Sequence, residues 1–205
     1  MASRTTTRVR APEAAAPEPG TGTRERILDA AGRLFRRQGY AATGLKEIVT
    51  EGGAPIGSLY HFFPGGKEEL GVEALLRIGT KLQRVIAGVA DADDMAASVE
   101  AFFKGSARRL RESGFQDGCP VATVCVEVAS ANERIRQTCE DIFESWRVTL
   151  ADAFAEAGAH DADSLATFVL ASHEGALVLS RALRDTQPLT ATAVAVGSVL
   201  RDRLP

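Results

Sequence analysis

The 205-residue sequence has few of the residues on which disulfide frameworks, metal centres and hydrolytic active sites are built. Cysteine and histidine occur three times each, at Cys119, Cys125, Cys139, His61, His160 and His173. The cysteines are odd in number and not spaced like metal ligands, so we expect neither a disulfide framework nor a metal site. The sequence has no glycine-rich phosphate loop and no nucleophile–base spacing, and therefore predicts neither an enzyme nor a cofactor.

Long apolar runs are also missing. No stretch approaches the roughly 20 apolar residues that a membrane-spanning helix needs, and no signal-peptide pattern is present. Hydrophobic residues make up 45% and charged residues 25% of the chain, as in ordinary globular proteins. We therefore expect a cytoplasmic protein without a membrane partner.

Charge is unevenly distributed along the chain. Residues 1–67 hold ten basic and six acidic side chains, a net charge of +4, whereas the remainder holds 14 basic and 21 acidic ones, a net charge of −7. A basic front on an acidic body suggests that only the front meets a polyanion. Chance variation in a solvated surface is the alternative.

The first predicted elements are an arm and a helix. Residues 1–22 are rich in Ala, Pro, Arg and Thr and lack hydrophobic periodicity, which predicts a disordered basic arm. A first helix should begin at Thr23 as its N-cap and end at Gly39. One apolar stripe runs along it, made by Ile27, Ala31, Leu34 and Phe35.

Two short helices follow on either side of a Gly52-Gly53 turn. Thr43 should cap the first, which runs from Gly44 to Glu51, and Pro55 should occupy the first position of the second, which ends at 62–66. This pattern is typical of a helix-turn-helix, whose second helix enters the DNA major groove.

The rest of the chain should be helical nearly throughout. A long helix is predicted from Lys67 to about Ala90, and further helices are predicted over 94–113, 120–130, 132–157, 163–186 and 189–203. Breaks are expected at 114–118, 158–161 and 187–188. No β-alternation appears, so the predicted fold class is all-α with about nine helices.

The residues of the first helices resemble the TetR family of bacterial regulators. The resemblance rests on TRERILDAAGRLF at 23–35, GYAAT at 39–43, GSLYHFF at 57–63 and the Lys67, Glu68, Leu70 sequence. The strings PGGK at 64–67, GCPVA at 118–122 and HEGA at 173–176 are similar to the LmrA/YxaF-like branch. The resemblance implies a DNA-binding domain over 23–66, an effector-binding and dimerisation domain over 67–205, and a homodimer on a palindromic operator.

Docking of this kind assigns roles to residues around the second short helix. Its first turn, which should meet base edges, holds Pro55, Ile56, Gly57 and Ser58. Candidate phosphate contacts are Tyr60, His61, Thr43, Lys46 and Lys67, although His61 also fits a structural role.

The recognition helix carries no Lys or Arg, which excludes arginine–guanine readout from that helix. Ile56 can instead contact a thymine methyl group. Arg4, Arg8 or Arg10 of the arm can reach the minor groove, or the arm is only a solvated tail.

The body should bind the effector that the resemblance implies, a small apolar or aromatic molecule that moves the fourth helix and relieves repression. Candidate ligand-binding residues are Phe102, Phe103, Phe115, Cys119, Phe143, Trp146, Phe168, His173 and Leu177. At helical spacing such apolar residues equally fit a core, and His173 equally fits a polar group near a dimer interface. The effector's identity does not follow from the sequence.

Three alternatives stay open at this point. Cys119 precedes Pro120 and should cap a helix, where a thiolate can be stabilised, so a redox- or electrophile-sensing regulator is one alternative, although Asp117 opposes ionisation. An activator is the second. The third concerns the small and apolar faces of the two C-terminal helices, which fit either a four-helix dimer interface or the monomer's own core.

Overall fold

The computed structural model describes residues 22–204, in which nine α-helices and no strand are found. The helices are α1 (Thr23–Gln38), α2 (Leu45–Glu51), α3 (Ile56–Phe62), α4 (Gly66–Ala90), α5 (Met95–Glu112), α6 (Pro120–Val128), α7 (Glu133–Glu156), α8 (Ala162–Leu183) and α9 (Gln187–Arg203). The all-α prediction is confirmed. The predicted arm lies outside the described residues except for Gly22.

Helix α1 forms because its apolar residues fall on one face, where Ile27, Ala31 and Phe35 are fully buried. Gly22, not Thr23, is its N-cap, and the Gly22 N–H donates to the Glu25 carboxylate at 3.0 Å. At the other end Gly39 has a φ of 82°, a conformation that favours glycine and ends the helix.

Helices α2 and α3 differ from the prediction in their caps. The N-cap of α2 is Gly44, because the Thr43 side chain is buried and its hydroxyl donates to the Gly39 carbonyl at 2.6 Å. Thr43 therefore fixes the turn after α1 instead of capping α2. Pro55 is likewise the N-cap of α3, and Ile56 is its first helical residue.

Helices α4–α9 form a body in which α4 packs on α7, α5 on α9, and α8 on both α7 and α9. Close packing of α4 on α7 depends on Gly79, where an added Cβ would lie 2.9 Å from Ile142 Cγ1. Trp146 Nε1 donates to the Gly79 carbonyl at 3.3 Å. No helix of residues 22–204 is both long and apolar enough to cross a membrane.

The break before α9 lies earlier than predicted. The chain turns at Arg184, whose φ of 51° is left-handed, and α9 already begins at Gln187. Pro188 lies in the first turn of α9, where its missing N–H removes no helical hydrogen bond.

Candidate DNA-reading surface and effector cavity

Helix α3 presents one face to the core and one to solvent. Leu59 is fully buried, whereas Ile56 and Tyr60 are 42% and 56% exposed, and His61 is also exposed. Ile56 and Tyr60 are four residues apart and so lie on the same face of the helix, where together they form an exposed apolar surface. The face that carries them is the one predicted to enter the major groove.

The other predicted base-edge residues lie on the same turn. Pro55 and Gly57 are exposed and Ser58 is half-buried. An added Cβ at Gly57 would meet no atom within 4 Å, so the fold itself does not require glycine there. The backbone of α3 is thus open to close approach by a partner at this position.

The three predicted phosphate contacts outside α3 differ in accessibility. Thr43 is buried and its hydroxyl is occupied, so this prediction was wrong. Lys46 is exposed. Lys67 is half-buried: its Nζ donates to the Ala41 carbonyl at 3.2 Å and lies 4.5 Å from the centre of the Tyr40 ring. Burial lowers the pKa of Lys67, and Glu127 partly offsets that shift.

The body encloses a cavity of about 160 Å³ that is bounded by α4, α5, α7, α8, the segment before α6 and the end of α1. Its apolar walls include Leu82, Ile86, Phe102, Trp146, Leu170 and Leu177. Its polar lining includes Arg36, Ser106, Arg109, Asp117, His173 and Glu174. An apolar cavity of this size holds a group as large as a benzene ring.

Five of the nine predicted ligand-binding residues line this cavity: Phe102, Cys119, Trp146, His173 and Leu177. The other four do not. Phe103 is fully buried and packs edge-on against the His173 ring from behind. Phe115 has a φ of 62° in the segment between α5 and α6, where it packs on the core.

Phe143 and Phe168 face outward instead. Phe143 packs edge-on against Trp146 and borders a separate shallow recess between α7 and α8. Phe168 is 39% exposed on α8. Spacing alone did not locate these residues, because aromatic residues at helical spacing mark a packed face without telling whether it faces a cavity, the core or solvent.

His173 is held by a chain of polar groups along one wall. Arg109 Nη2 donates to Ser106 Oγ at 3.0 Å, and Ser106 Oγ lies 2.9 Å from His173 Nε2. Arginine only donates, so Ser106 Oγ accepts from Arg109 and can either donate its proton to His173 Nε2 or accept a proton from it. Nδ1 lies 3.7 Å from Glu174 Oε1. All four residues line the cavity.

Cys119 caps α6 as predicted, since its sulfur accepts the Ala122 N–H at 3.5 Å. The thiol is nevertheless not activated. Burial, and then the negative charge of Glu174, raise the pKa of Cys119 well above its ordinary value. A thiolate is therefore disfavoured at neutral pH, which opposes the sensor hypothesis based on this residue.

Sequence reasoning missed the charged residues of the cavity. Arg36 belongs to α1, which together with α2 and α3 forms the N-terminal head, yet it lines the cavity wall together with Asp117. Arg36 Nη1 lies 3.6 Å from Asp117 Oδ2, and Arg37 Nε lies 3.7 Å from Asp117 Oδ1. Periodicity predicts the apolar face of a single helix, and it does not mark a contact between segments that lie about 80 residues apart.

Backbone hydrogen bonds join the head to the body at the same place. The Gly118 N–H donates to the Arg36 carbonyl at 3.2 Å, and the Arg181 guanidinium donates to the Arg37 carbonyl at 2.9 Å. Glu127 of α6 accepts the N–H of Tyr40 at 2.6 Å and the N–H of Ala41 at 3.0 Å. The body thus holds the last turn of α1 and the first residues of the turn that follows it.

Comparison with known proteins identifies the family to which this architecture belongs. Residues 27–74 match the family model for bacterial regulatory proteins of the tetR family, and residues 95–195 match that for the C-terminal domain of LmrA/YxaF-like transcriptional regulators. The transcriptional regulator YxaF of Bacillus subtilis is 38% identical over 88% of this chain and 96% of its own length. The regulator LmrA of the same organism is 34% identical over 87% of this chain and 97% of its own.

Solved structures agree with the fold. A TetR transcriptional regulator from Chloroflexus aurantiacus superposes with a TM-score of 0.73 at 26% identity, covering 89% of this chain and 96% of that one. The regulatory protein TetR from Rhodobacter sphaeroides has a TM-score of 0.77 at 24% identity over 86% of this chain and 97% of that one, a likeness of fold alone. The matched families and relatives are DNA-binding transcriptional regulators, not enzymes. The chain belongs to the TetR family of bacterial transcriptional regulators, in its LmrA/YxaF-like branch.

Proposed function

We propose that the chain is a homodimeric repressor whose binding to a palindromic operator is weakened when a small apolar or aromatic effector fills the cavity. In this proposal residues 23–66 read DNA and residues 67–205 bind the effector and dimerise. The single observation that carries it is the shared wall: Arg36, a residue of the DNA-reading head, lines the cavity.

Operator recognition is assigned to the open face of α3. Ile56, Tyr60 and His61 are exposed there, and none of them contributes to the packed face that Leu59 forms. Ile56 would contact a thymine methyl group, while Tyr60 and His61 would bond phosphates. Lys46 and Lys67 would add phosphate contacts beside the helix.

Dimerisation is assigned to α8 and α9. Exposed apolar side chains recur along these helices: Val178, Leu179, Leu183 and Val194 are each between 56% and 66% exposed. Ala171, Gly175 and Ala182 lie exposed on α8 as well, and small residues let a second copy approach closely. Ala176, Gly197 and Leu200, by contrast, are buried in the monomer.

Release by the effector is assigned to α4 and to the end of α1. Helix α4 begins beside the head and lines the cavity with Leu82 and Ile86. The half-sites of a dimer must lie about 34–36 Å apart or a multiple of that distance. An effector that fits the cavity only when α4 or α1 is displaced would favour the spacing that does not match DNA.

The test is selection of genomic DNA fragments by the purified protein, followed by a binding titration at two salt concentrations. The proposal expects a palindromic site with two half-sites and an affinity that falls steeply with salt. A site without two-fold symmetry would contradict the dimer, and the absence of any preferred sequence would contradict operator binding. In vitro transcription from a promoter that carries the site then separates a repressor from an activator.

A further inference from the structure

Positive charge accumulates at the mouth of the cavity, which we define as Arg36, Arg109, Asp117 and Gly118. Arg109 marks the opening, because it lines the cavity and is also exposed. Two more guanidiniums stand beside it. Arg37 approaches Asp117, and Arg181 Nη1 lies 3.3 Å from the position that a Cβ on Gly118 would take.

These guanidiniums are not neutralised by their surroundings. Asp117 is the carboxylate within ion-pair distance of Arg36 and Arg37, and both distances exceed those of hydrogen bonds. Among residues 22–204 no carboxylate lies within 4.0 Å of the guanidinium of Arg109 or Arg181. Within ion-pair distance, the four guanidiniums are therefore matched by the single carboxylate of Asp117. Glu112 acts on Arg109 from farther away, and Glu174 lines the cavity beside His173.

Partial burial makes this imbalance costly. Loss of hydration, and then the positive charges of Arg36 and Arg108, lower the pKa of the Arg109 guanidinium. Such a charge is stabilised by an anion in its plane, and a carboxylate matches a guanidinium with two parallel hydrogen bonds. The aromatic and aliphatic walls of the cavity begin next to these guanidiniums, since Phe102 lies on the turn of α5 that precedes Ser106.

We propose that the effector of this cavity is an apolar carboxylic acid, whose hydrocarbon or aromatic body lies against Phe102 and Trp146 and whose carboxylate is bound by Arg109 and Arg36. The inference rests on the proposed function of the cavity as the effector site. Ser106 and His173 separate Glu174 from Arg109 along the polar chain, so the negative charge of Glu174 repels the acid's carboxylate less at Arg109 than at His173. Neutral molecules of the same shape bind the walls but leave the mouth charges uncompensated.

Trp146 provides a direct readout, since it is the single tryptophan of the chain and lines the cavity. Its fluorescence is titrated with benzoate, 3-phenylpropanoate and octanoate, each compared with the primary amide of the same acid. At least one acid should bind roughly tenfold or more tightly than its amide, the difference expected for one hydrogen-bonded charge. Equal or tighter binding of the amides, or no binding of any acid, overturns the proposal.

Matched variants test which guanidinium binds the carboxylate of the acid. Arg109→Gln should remove most of the preference for the acid, whereas Arg108→Gln, one position away and pairing outward with Glu112, should keep it. Arg109→Lys should restore part of it. Equal behaviour of Arg109→Gln and Arg108→Gln overturns the assignment to Arg109, and circular dichroism checks that each variant is folded.

A separate measurement distinguishes this inference from the proposed function. Operator binding is followed by fluorescence anisotropy with the same acids. If an acid binds with the predicted preference and the operator stays bound, the acid site stands and effector-controlled release fails. If a neutral molecule alone fills the cavity and releases the operator, release stands and the acid proposal fails.

Discussion

Arg36 Nη1 lies 3.6 Å from Asp117 Oδ2, so the last turn of the first helix of the DNA-binding head is paired with the wall of the cavity in the body. The same carboxylate also faces Arg37, and the neighbouring Gly118 N–H bonds the Arg36 carbonyl. A molecule in the cavity therefore lies against a side chain of the head, that of Arg36.

Replacing Asp117 by Asn should change binding and release in opposite directions. Loss of its negative charge leaves the guanidiniums less compensated, so an apolar acid should bind several-fold more tightly, as expected for removal of a nearby like charge. The ion pair with Arg36 is lost as well, so each bound acid should release less operator. Trp146 fluorescence measures the first effect and operator anisotropy the second. Asp141→Asn, which removes the same charge at an exposed position, is the control. Weaker acid binding by Asp117→Asn would contradict the proposal that positive charge at the mouth binds the acid.

Replacing Tyr60 by Ala should weaken operator binding while the dimer stays intact. The ring is 56% exposed on α3, so its removal costs the fold little, whereas the lost phosphate contact should cost about 1–2 kcal/mol of binding free energy. Anisotropy at fixed salt measures the change. Val126→Ala, at a 90% exposed position of α6 outside the recognition helix, should bind like the original protein. Unchanged operator affinity of Tyr60→Ala would show that this residue does not contribute to the DNA interface.

Replacing Leu179 by Glu should produce a monomer. The side chain is 56% exposed in the apolar surface of α8, and a carboxylate buried between two copies would be left unpaired. Analytical ultracentrifugation measures the molecular mass, and operator affinity should fall with it. Val126→Glu introduces the same charge on a 90% exposed position of α6 and should leave the dimer unchanged. A dimeric Leu179→Glu would place the interface elsewhere.

Asp29 gives the protein a pH-dependent contribution to stability. Burial alone would raise the pKa of this carboxyl group, but hydrogen bonds from Arg77 and Lys81 bring it below its ordinary value. Because the pKa is lower in the folded state than in the unfolded state, the ionised carboxylate stabilises the fold at pH values above the unfolded pKa. This stabilisation is lost as the pH falls through the folded pKa. Asp29→Asn should therefore cost about 0.5–1 kcal/mol of unfolding free energy at pH 7.

The measurement is urea denaturation at one protein concentration, performed at pH 7 and again at about pH 3, below the ordinary Asp pKa. The difference between Asp29→Asn and the original protein should shrink at the lower pH. Asp141→Asn should show no difference at either pH. A cost that stays constant with pH would mean that the substitution acts through packing.

Cys119 should react slowly with thiol reagents. Its pKa is raised by burial and by Glu174, so little of the reactive thiolate is present at neutral pH. Labelling by iodoacetamide, followed by peptide mass spectrometry, should modify the half-buried Cys125 before Cys119. Operator binding by Cys119→Ser should respond to peroxide as the original protein does. Preferential modification of Cys119 at pH 7 would revive the redox hypothesis.

The helices could be predicted because each carries its own signals. Gly39 ends α1 through a positive φ, and the division of α3 into a buried face and an exposed face follows from its sequence. Side-chain roles at helix ends were less predictable. Thr43 precedes a helix and has the residue type of a cap, yet its hydroxyl bonds backward to Gly39, a choice between two local partners that spacing does not decide.

The cavity was predictable in its apolar walls and at Cys119 and His173, but not at its charged mouth. Phe102, Trp146 and Leu177 could be proposed because aromatic and aliphatic residues recur on body helices. The charged mouth depends on Arg36 meeting Asp117 and on Arg181 reaching Arg37, contacts that join distant segments of the chain. Those contacts arise from helix packing, which the sequence pattern of any one segment does not contain.

The most direct test of the account follows cavity occupancy and DNA binding in one sample. Labelled operator and protein are titrated with 3-phenylpropanoate while Trp146 fluorescence reports the cavity and operator anisotropy reports DNA binding. Because coupled binding is reciprocal, the two signals should change over the same ligand concentrations, and bound operator should weaken acid binding by the same factor by which the acid weakens operator binding. Saturation of the Trp146 signal with unchanged anisotropy would contradict the claim that this cavity controls the DNA-binding head.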